Sequence, residues 1–543
     1  MLQKLHSQAE LLKTSFNALS GEAKLGTCIS LLGVFAFTYW WLFTPRYPKA
    51  PTLRVSKKPW IFGELEDAKL YVTNSIDLLQ IGWEQYSKHG TNYLLNTPKG
   101  KIYIVAPRYM DEVRRAPETH VDNTIANSQL TQVAWTLHRR LAWDQFHFHT
   151  PISKSLTESL GPRLLDVVEE AKMSIKDYIG SEKDWTPKKM YPVGFEIVTR
   201  TANRLLFGEK LARDKEFQDL SVNYTNVLFG GAEMIRSWPN FVKPFIMWLR
   251  TDIYSAQAIA RKHLYPVIDQ RIKAEDAYNR AGRQAEWKKI KPDDAIQWVL
   301  DVAPPDQRKA DITVYRMLHI NIAAIHTSSI TLLEAFYFLA IFPEFHDELR
   351  DEIVRVFRQE KKWTKQALTH LMKLDSFLTE ALRFCPFTAL KMQRYTVKDW
   401  TLSDGTVIPK GVYFWCNFTA LSLDEDTYKD AHRFDPWRMY RKRQEPGQAN
   451  QHQFVMTSDT NLTFGHGKKA CPGRFFAANE IKILMALLIT NYEIRCTNIR
   501  GVEEIRRGGW INITKNPINH PIVDFKPRDD QIPEDIRHLF LDI

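Results

Sequence analysis

The pattern of apolar and polar positions predicts helices of different kinds. Residues 311–342 are apolar on nearly every side, which indicates a helix buried in the middle of the protein, about 50 Å long at the rise of an α-helix. Pro343 ends this helix. Residues 343–360 have helical spacing of apolar positions among many charges and predict an amphipathic surface helix. Residues 375–384 predict a further helix, which Pro386 stops.

Two short segments predict β-strands. Residues 93–105 indicate two strands around a Pro-Lys-Gly turn, and residues 400–414 indicate strands around Asp-Gly, with a second Pro-Lys-Gly turn before the next strand. No repeat, low-complexity tract or second linker interrupts residues 60–543. The chain therefore predicts a mainly α fold with a small β-rich subdomain, built as one large unit rather than several domains.

An uncharged stretch near the N-terminus, residues 25–45, predicts a transmembrane anchor. Its 19 residues from Gly26 to Thr44 span about 28 Å as a helix, close to the roughly 30 Å of a bilayer core. Aromatic residues 39–41 suit a membrane interface. A signal peptide would have a shorter apolar region and small residues at its cleavage site, and a buried core helix rarely lacks a polar face.

The charges beside this stretch predict its orientation and the domain boundaries. Basic residues follow it closely, so the positive-inside rule places the C-terminal side in the cytosol: Arg46, Lys49, Arg54, Lys57 and Lys58. The expected organisation is a short N-terminal segment (1–24), the anchor (25–45), a proline-rich basic linker (46–58) that acts as a stiff spacer, and one large domain (59–543).

Composition excludes several classes of protein. The chain of 543 residues has 44% hydrophobic and 25% charged residues, which excludes wholesale disorder and collagen-like repeats. Its net charge of +11 is spread out, which disfavours nucleic-acid binding and favours a membrane surface or an acidic protein partner. Five cysteines, none in C-x-x-C spacing, predict neither a disulfide scaffold nor a zinc site, so the thiols are expected to be reduced and the large domain cytosolic.

One cysteine lies in a loop suited to metal binding. Residues 464–473 read Phe-Gly-His-Gly-Lys-Lys-Ala-Cys-Pro-Gly, and an amphipathic helix follows. Glycines allow the backbone to approach a flat ligand closely. Backbone amides at the helix N-terminus, together with Lys468 and Lys469, are expected to lower the pKa of the Cys471 thiol, and a thiolate suits a soft transition metal. A buried structural cysteine in a glycine-rich turn is the alternative.

The pattern Phe-x-x-Gly-x-x-x-Cys-x-Gly followed by a helix resembles the haem-binding loop of the cytochrome P-450 family. The resemblance covers roughly residues 52 to 530 in the family's motif order, and it implies the family's fold with a long central distal helix. It implies a haem iron held by Cys471, with Phe464, Gly467 and Lys469 at the cofactor. Lys469 stands where the family often has Arg or His, so it is expected to bind a haem propionate less firmly or to face the redox partner.

Two further motifs support the resemblance. Glu380-Ala-Leu-Arg383 resembles the Glu-x-x-Arg signature of the family's K helix, and Arg438 is expected to complete a structural Glu-Arg-Arg network. Residues 433–438, Arg-Phe-Asp-Pro-Trp-Arg, resemble the family's next signature, in which Trp437 replaces the usual Glu. Arg394 stands where the family often places an Arg on a haem propionate, and a solvated strand residue is the alternative.

The central helix carries the residues expected on the dioxygen side. Thr327 matches the family's alcohol that helps to deliver protons, and His326 replaces the usual acid. A titratable imidazole there is expected either to serve proton delivery or to be a satisfied core residue. The resemblance implies a substrate lining made of Ala323, Ala324, Phe387, Thr388, Ala389 and Leu390.

These expectations describe a membrane-anchored haem-thiolate monooxygenase that oxidises a lipophilic small molecule. The resemblance implies NADPH-derived electrons from a flavoprotein reductase, with cytochrome b5 as a second candidate donor, and a single-pass location in the endoplasmic reticulum membrane. The Ala-Ala-Ile-His-Thr run is similar to a fungal branch that oxidises terpenoids and indole diterpenes as secondary metabolites. The alternatives are a reductase-independent haem-thiolate isomerase, dehydratase or peroxygenase, and a haem-binding protein without turnover.

Overall fold

A computed structural model describes residues 20–43, 46–142, 152–528 and 532–540. The α-helices of its N-terminal half are Gly21–Phe43 (α1), Trp60–Thr73 (α2), Ser75–Gln85 (α3), Met110–Arg115 (α4), Asn123–Thr131 (α5), Val133–Thr136 (α6), Thr157–Ser159 (α7), Leu164–Tyr178 (α8), Met190–Phe207 (α9), Glu209–Arg213 (α10), Lys215–Ile235 (α11), Lys243–Arg250 (α12) and Ile253–Arg280 (α13). Helices therefore dominate this half.

The same is true of the C-terminal half. Its α-helices are Gln284–Ile290 (α14), Ala295–Val302 (α15), Ala310–Ile341 (α16), His346–Glu360 (α17), Lys365–His370 (α18), Met372–Phe384 (α19), Phe418–Ser422 (α20), Arg438–Arg443 (α21), Arg474–Asn491 (α22) and Val502–Arg507 (α23). The helices predicted at 311–342 and 375–384 are α16 and α19, and α19 begins three residues earlier than the sequence pattern indicated.

The strands form small sheets at the sides of the helical body. They are Tyr93–Thr97 (β1), Gly100–Ile104 (β2), Val121–Asp122 (β3), Thr186–Lys189 (β4), Leu390–Thr396 (β5), Trp400–Thr401 (β6), Val407–Ile408 (β7), Tyr413–Asn417 (β8), Tyr492–Cys496 (β9), Trp510–Ile511 (β10), Thr514–Lys515 (β11) and Ile522–Pro527 (β12). The largest sheet has the order β1-β2-β8-β5-β3, with only β2 and β8 parallel.

Both predicted strand pairs are present. Strands β1 and β2 pair antiparallel from Tyr93–Ile104 to Thr97–Gly100, around the Pro-Lys-Gly turn. Strands β6 and β7 pair around Asp-Gly, and the strand after the second Pro-Lys-Gly, β8, crosses into the large sheet instead of extending this hairpin. The remaining ladders are β4-β12-β9 and β10-β11.

Helix α16 forms the centre of the core. It packs against α9, α11, α13, α19 and α22, and most of its residues from Ile325 onward are fully buried. By length and composition α16 could cross a bilayer, but its apolar window, with a mean hydropathy of 1.4, is 78% buried inside the protein. Its apolar surface is therefore covered by protein, as the pattern over 311–342 predicted.

The N-terminal stretch forms helix α1, whose bounds Gly21–Phe43 cover most of the predicted anchor 25–45. Residues 44 and 45 at the end of that anchor, and residues 1–19 of the predicted segment 1–24, lie outside the described part.

Candidate functional site around Cys471

The loop that carries Cys471 is closed by its own backbone. The Cys471 amide donates to the Phe464 carbonyl at 2.8 Å, and the Ala470 amide donates to the Gly467 carbonyl at 3.0 Å. Gly467 has a positive φ of 75°, and a Cβ atom there would lie 2.2 Å from the Cγ of Arg114. Only glycine fits this position, because both the backbone conformation and the space exclude a side chain.

The surroundings of the Cys471 sulfur correct one expectation. Burial has the largest effect and raises the pKa of the Cys471 thiol, so the predicted net lowering is wrong for the protein alone. The amides of Gly473 and Arg474 donate toward the sulfur and oppose this rise, as do the charges of Arg474 and Lys391. Lys468 and Lys469, which were expected to lower this pKa, are not among the largest contributions. A bound metal ion would itself favour the thiolate.

Strand β5 carries two cations, and one of them, Lys391, reaches the loop. Its pairing with β8 is irregular between Lys391 and Arg394, and Met392 between them has a φ of 58°. Such a bulge re-aims the side chains that flank it. The Lys391 ammonium donates to the Thr463 carbonyl at 3.1 Å and is close enough to act on Cys471, and burial lowers the pKa of Lys391 to about 8.

Arg394 is a buried cation without a close anionic partner. Its side chain is 5% exposed and donates to the Gln393 carbonyl at 2.8 Å, and within the described ranges no carboxylate lies within ion-pair distance of it. Burial lowers the pKa of Arg394 to about 10, with weak opposition from Asp122 and Glu118. A buried guanidinium of this kind fits a carboxylate-bearing ligand, since a cation left unpaired in the interior is costly.

Lys469 lies nearby but is already paired. Its ammonium is 3.0 Å from a Glu118 carboxylate oxygen. Phe464 packs edge-on against Phe454, with 5.2 Å between ring centroids. A soft sulfur with amide donors, the half-buried Lys391, the buried Arg394 and a loop with no room for a side chain at Gly467 together match the needs of an iron porphyrin with acidic side chains. The residues present therefore fit haem.

A buried ion network is centred on Glu380. The Glu380 carboxylate accepts from Arg383 at 2.8 and 2.9 Å and from Arg438 at 3.2 and 3.3 Å. The Asp435 amide adds a bond to Glu380 at 3.0 Å. All three charged side chains are at most 8% exposed. Both arginines also donate to backbone carbonyls. Arg383 donates to the Ser422 carbonyl at 2.5 Å, and Arg438 donates to carbonyls in the segment before α21. The network thus ties α19 to α21 and to the segment before it.

Aromatic packing joins this network to the central helix. The Phe434 ring, four residues before Arg438, stacks on Phe338 of α16 with 4.4 Å between centroids, and it also packs against Phe377 and Phe384 of α19. Trp437, which replaces the family's usual Glu, packs edge-on against Phe345. Loss of the Glu380 network would therefore disturb α16 as well.

On α16, the residues expected at the reaction centre have definite partners. The Thr327 hydroxyl donates to the Ala323 carbonyl at 2.6 Å. The adjacent His326 side chain points away from α16 toward α11, where its Nε2 is 2.6 Å from the Val222 carbonyl. Ala323 and Ala324 are half-buried, so their small side chains leave room beside Thr327.

The segment expected to line the substrate is fixed by backbone hydrogen bonds. The Phe387 carbonyl accepts from the Lys515 amide at 2.9 Å, and the Ala389 amide donates to the Ile513 carbonyl at 2.8 Å. The Ala389 carbonyl accepts from Phe418 at 3.0 Å. The β10–β11 hairpin therefore shapes this segment. Its four residues range from half-buried to fully buried: Phe387, Thr388, Ala389 and Leu390.

Sequence reasoning missed Lys391 and Glu480. Lys391 could have been noticed as a second basic residue in the strand of Arg394, but only the bulge brings it to Cys471. Glu480 lies nine positions after Cys471 on α22 and is 0% exposed. Neither of its carboxylate oxygens has a well-formed hydrogen bond. Burial raises the pKa of Glu480 to about 8, slightly opposed by the Ser328 hydroxyl.

Glu480 predicts a pH dependence of stability. Between pH 4.5 and 8 the folded protein keeps a proton on Glu480 that the unfolded chain loses, so this group destabilises the fold by up to about 1.4 kcal/mol per pH unit as pH rises. Glu480→Gln removes this dependence. We expect the melting temperature of the variant minus that of the wild type to increase as the pH rises from 5 to 8. The exposed Glu344→Gln is the control, and a gain that does not grow with pH would contradict the prediction.

Comparison with known proteins identifies the family of this fold. The family model for cytochrome P450 matches residues 107–521. Cytochrome P450 monooxygenase AN1598 of Emericella nidulans is 33% identical over 407 residues, 73% of each chain. Cytochrome P450 monooxygenase olcJ of Penicillium canescens is 33% identical over 73% of each chain, and cytochrome P450 monooxygenase CYP512U6 of Ganoderma lucidum is 29% identical over 87% of this chain and 91% of its own.

The class defined by these matches is that of oxygen-incorporating haem oxidoreductases with a mainly helical fold and small β-sheets. The chain belongs to the cytochrome P450 family. Membership implies a thiolate-ligated haem and monooxygenase chemistry, which the family generally performs with electrons from a redox partner. The predicted family, enzyme class and mainly α fold are confirmed.

Proposed function

We propose that this protein is a membrane-anchored monooxygenase that inserts one atom of dioxygen into a C–H bond of a lipophilic small molecule. The other oxygen atom leaves as water, which consumes two protons drawn from solvent and two electrons that NADPH supplies through a flavoprotein reductase. The observation that carries the proposal is the Cys471 sulfur, which has two amide donors and the Lys391 ammonium near it. The buried Arg394 guanidinium lies three residues further along the strand of Lys391. A terpenoid-like secondary metabolite is the proposed substrate class, because the central helix beside Thr327 is apolar.

Each residue has a proposed role. When bound, haem supplies the oxidant. Cys471 holds the iron, and the Gly473 and Arg474 amides stabilise the negative charge on its sulfur. Arg394 and Lys391 bind and orient the acidic side chains of the porphyrin. The Thr327 hydroxyl, now donating to the Ala323 carbonyl, can turn to pass a proton toward the reaction centre.

The surface beside the loop suits an acidic redox partner. Lys468 is exposed, and Arg114, which contacts Gly467, is followed by Arg115 with a side chain that is 70% exposed. Asp111 balances part of this charge through ion pairs with Arg114 and Arg115. The net positive surface lies over the Cys471 loop, where electron transfer would be shortest, so we propose it as the docking site for the reductase.

An exposed apolar surface supports membrane association of the large domain. On α2, Phe62 is 69% exposed, and in the α11–α12 connection and α12, Phe241 and Trp248 are 87% and 68% exposed. These regions share one side of the molecule, because α2 packs on β1 and Lys99 in the β1–β2 turn pairs with Glu233 at the end of α11. We propose that this surface rests on the endoplasmic reticulum membrane into which α1 inserts. Retention of the full chain in membranes after a carbonate wash tests this proposal.

Thr327→Ala tests the reaction itself. With a reductase, NADPH and a terpenoid panel, we expect product that carries one atom of labelled dioxygen. We expect the variant to release several-fold more peroxide per NADPH, because a positioned acid contributes on the order of 100-fold to proton transfer. Thr331→Ala is the control, since its hydroxyl donates to the Thr327 carbonyl at 2.8 Å. Product formation without NADPH would favour the reductase-independent alternative, and unchanged peroxide release would remove Thr327 from the reaction.

A further inference from the structure

His326 holds two helices together beside the reaction centre. Its Nε2 is 2.6 Å from the Val222 carbonyl of α11. A carbonyl only accepts hydrogen bonds, so Nε2 carries the proton and donates. The imidazole is 9% exposed, and the Phe195 ring of α9 packs edge-on against it with 5.0 Å between centroids. Burial, the largest effect, lowers the pKa of His326, while the Val222 bond opposes it. The ring is therefore neutral at pH 7 and fixed on two sides.

A second polar contact joins α16 to α11 at Ser221, the residue before Val222. The Asn321 amide of α16 donates to the Ser221 hydroxyl of α11 at 3.0 Å, and the Asn203 amide of α9 donates to the same hydroxyl at 3.2 Å. Ser221 and Val222 are consecutive, so α11 is held to the central helix by two adjacent buried hydrogen bonds. These bonds are directional, whereas the surrounding apolar contacts allow one helix to slide along another.

The geometry does not suit His326 as a source of protons. Its protonated nitrogen faces a carbonyl of α11, and a carbonyl has no proton to pass on. The Thr327 hydroxyl donates to the Ala323 carbonyl within α16 instead. No hydrogen bond joins His326 to Thr327 among the described residues, so the two neighbours act in different directions.

We propose that His326 is a positioning residue that fixes α11 against the central helix and thereby sets the space available to substrate, instead of delivering protons. The substrate part of this proposal rests on the proposed monooxygenase function. The hydrogen bond to Val222 is the essential contact, since it determines where α11 lies next to the segment of α16 that carries Ala323 and Thr327.

Three variants of the full-length holoprotein separate the possibilities. His326→Phe keeps a ring against Phe195 but lacks the donor, and His326→Gln restores an N–H at the Nε2 position. His346→Phe is the matched control. His346 is 4% exposed and its Nε2 is 2.8 Å from the Leu339 carbonyl at the far end of α16, so it makes the same bond away from α11. All variants are compared at equal haem content.

Two measurements report on α11. Amide hydrogen exchange of α11 peptides is expected to become about tenfold faster in His326→Phe, the effect of losing one buried hydrogen bond, and to stay near wild type in the other two variants. Spectral titration with clotrimazole, a bulky azole, is expected to weaken about tenfold in His326→Phe only. Titration with imidazole, which needs little space, is expected to stay unchanged in all variants.

The outcomes are distinct. Wild-type exchange and azole affinity in His326→Phe would overturn the proposal. So would raised peroxide release per NADPH in His326→Gln with unchanged clotrimazole binding, because that result assigns proton delivery to the imidazole. If the protein bound no haem, the proposed function would fail, while hydrogen exchange on the apoprotein would still decide whether His326 fixes α11.

Discussion

Cys471→Ala is expected to abolish the haem-thiolate spectrum and all monooxygenase turnover. The Cys471 sulfur is the proposed ligand of the iron, and no other thiol among the described residues lies in a glycine-rich loop with amide donors. The carbon-monoxide difference spectrum of the reduced protein measures the change, and we expect complete loss of the thiolate band. Turnover, measured as NADPH-dependent product, is expected to fall below detection.

Cys416→Ala is the matched control for this experiment. Cys416 on β8 is 2% exposed, and burial raises the pKa of its thiol to about 12, partly opposed by Arg394. The substitution removes a buried sulfur from the sheet that carries Lys391 and Arg394. It should lower the free energy of unfolding by about 1 kcal/mol without changing the spectrum. A thiolate band that survives in Cys471→Ala, or disappears in Cys416→Ala, would contradict the ligand assignment.

Glu380→Gln is expected to have the second-largest effect. The substitution keeps the shape of the side chain but leaves Arg383 and Arg438 as buried cations without a counter-charge. Removing one partner of a buried ion pair costs about 3–5 kcal/mol. Urea unfolding should show this loss, and the proportion of protein that binds haem should fall because the Phe434 packing on α16 depends on the same segment.

The chain supplies its own control for this motif. Glu503 and Arg506 on α23 repeat the Glu-x-x-Arg spacing and form a two-pronged pair at 2.6 and 2.9 Å, but the Glu503 side chain is 66% exposed. Glu503→Gln should change the unfolding free energy by less than about 1 kcal/mol, since water screens an exposed pair. Equal losses in the two variants would mean that spacing, and not burial, determines the strength of the contact.

The sequence was most informative where a function needs neighbouring residues. The loop from Phe464 to Gly473 is contiguous, so its glycines, its cysteine and the helix that follows could be recognised together. The long helix at 311–342 was equally clear, because its burial on all sides removes the polar face that a surface helix needs. The strand pairs at 93–105 and 400–414 followed from local turn chemistry.

The amino-acid sequence by itself determined the family, the mainly helical fold and the cysteine loop, because each depends on residues close together along the chain. Only the tertiary structure decided that burial outweighs the helix amides at Cys471, that a bulge brings Lys391 to the sulfur, and that His326 bonds to Val222 instead of Thr327. His326 and Val222 are 104 positions apart. Contacts of this kind, and the desolvation that shifts a pKa, arise only when distant segments pack and exclude water.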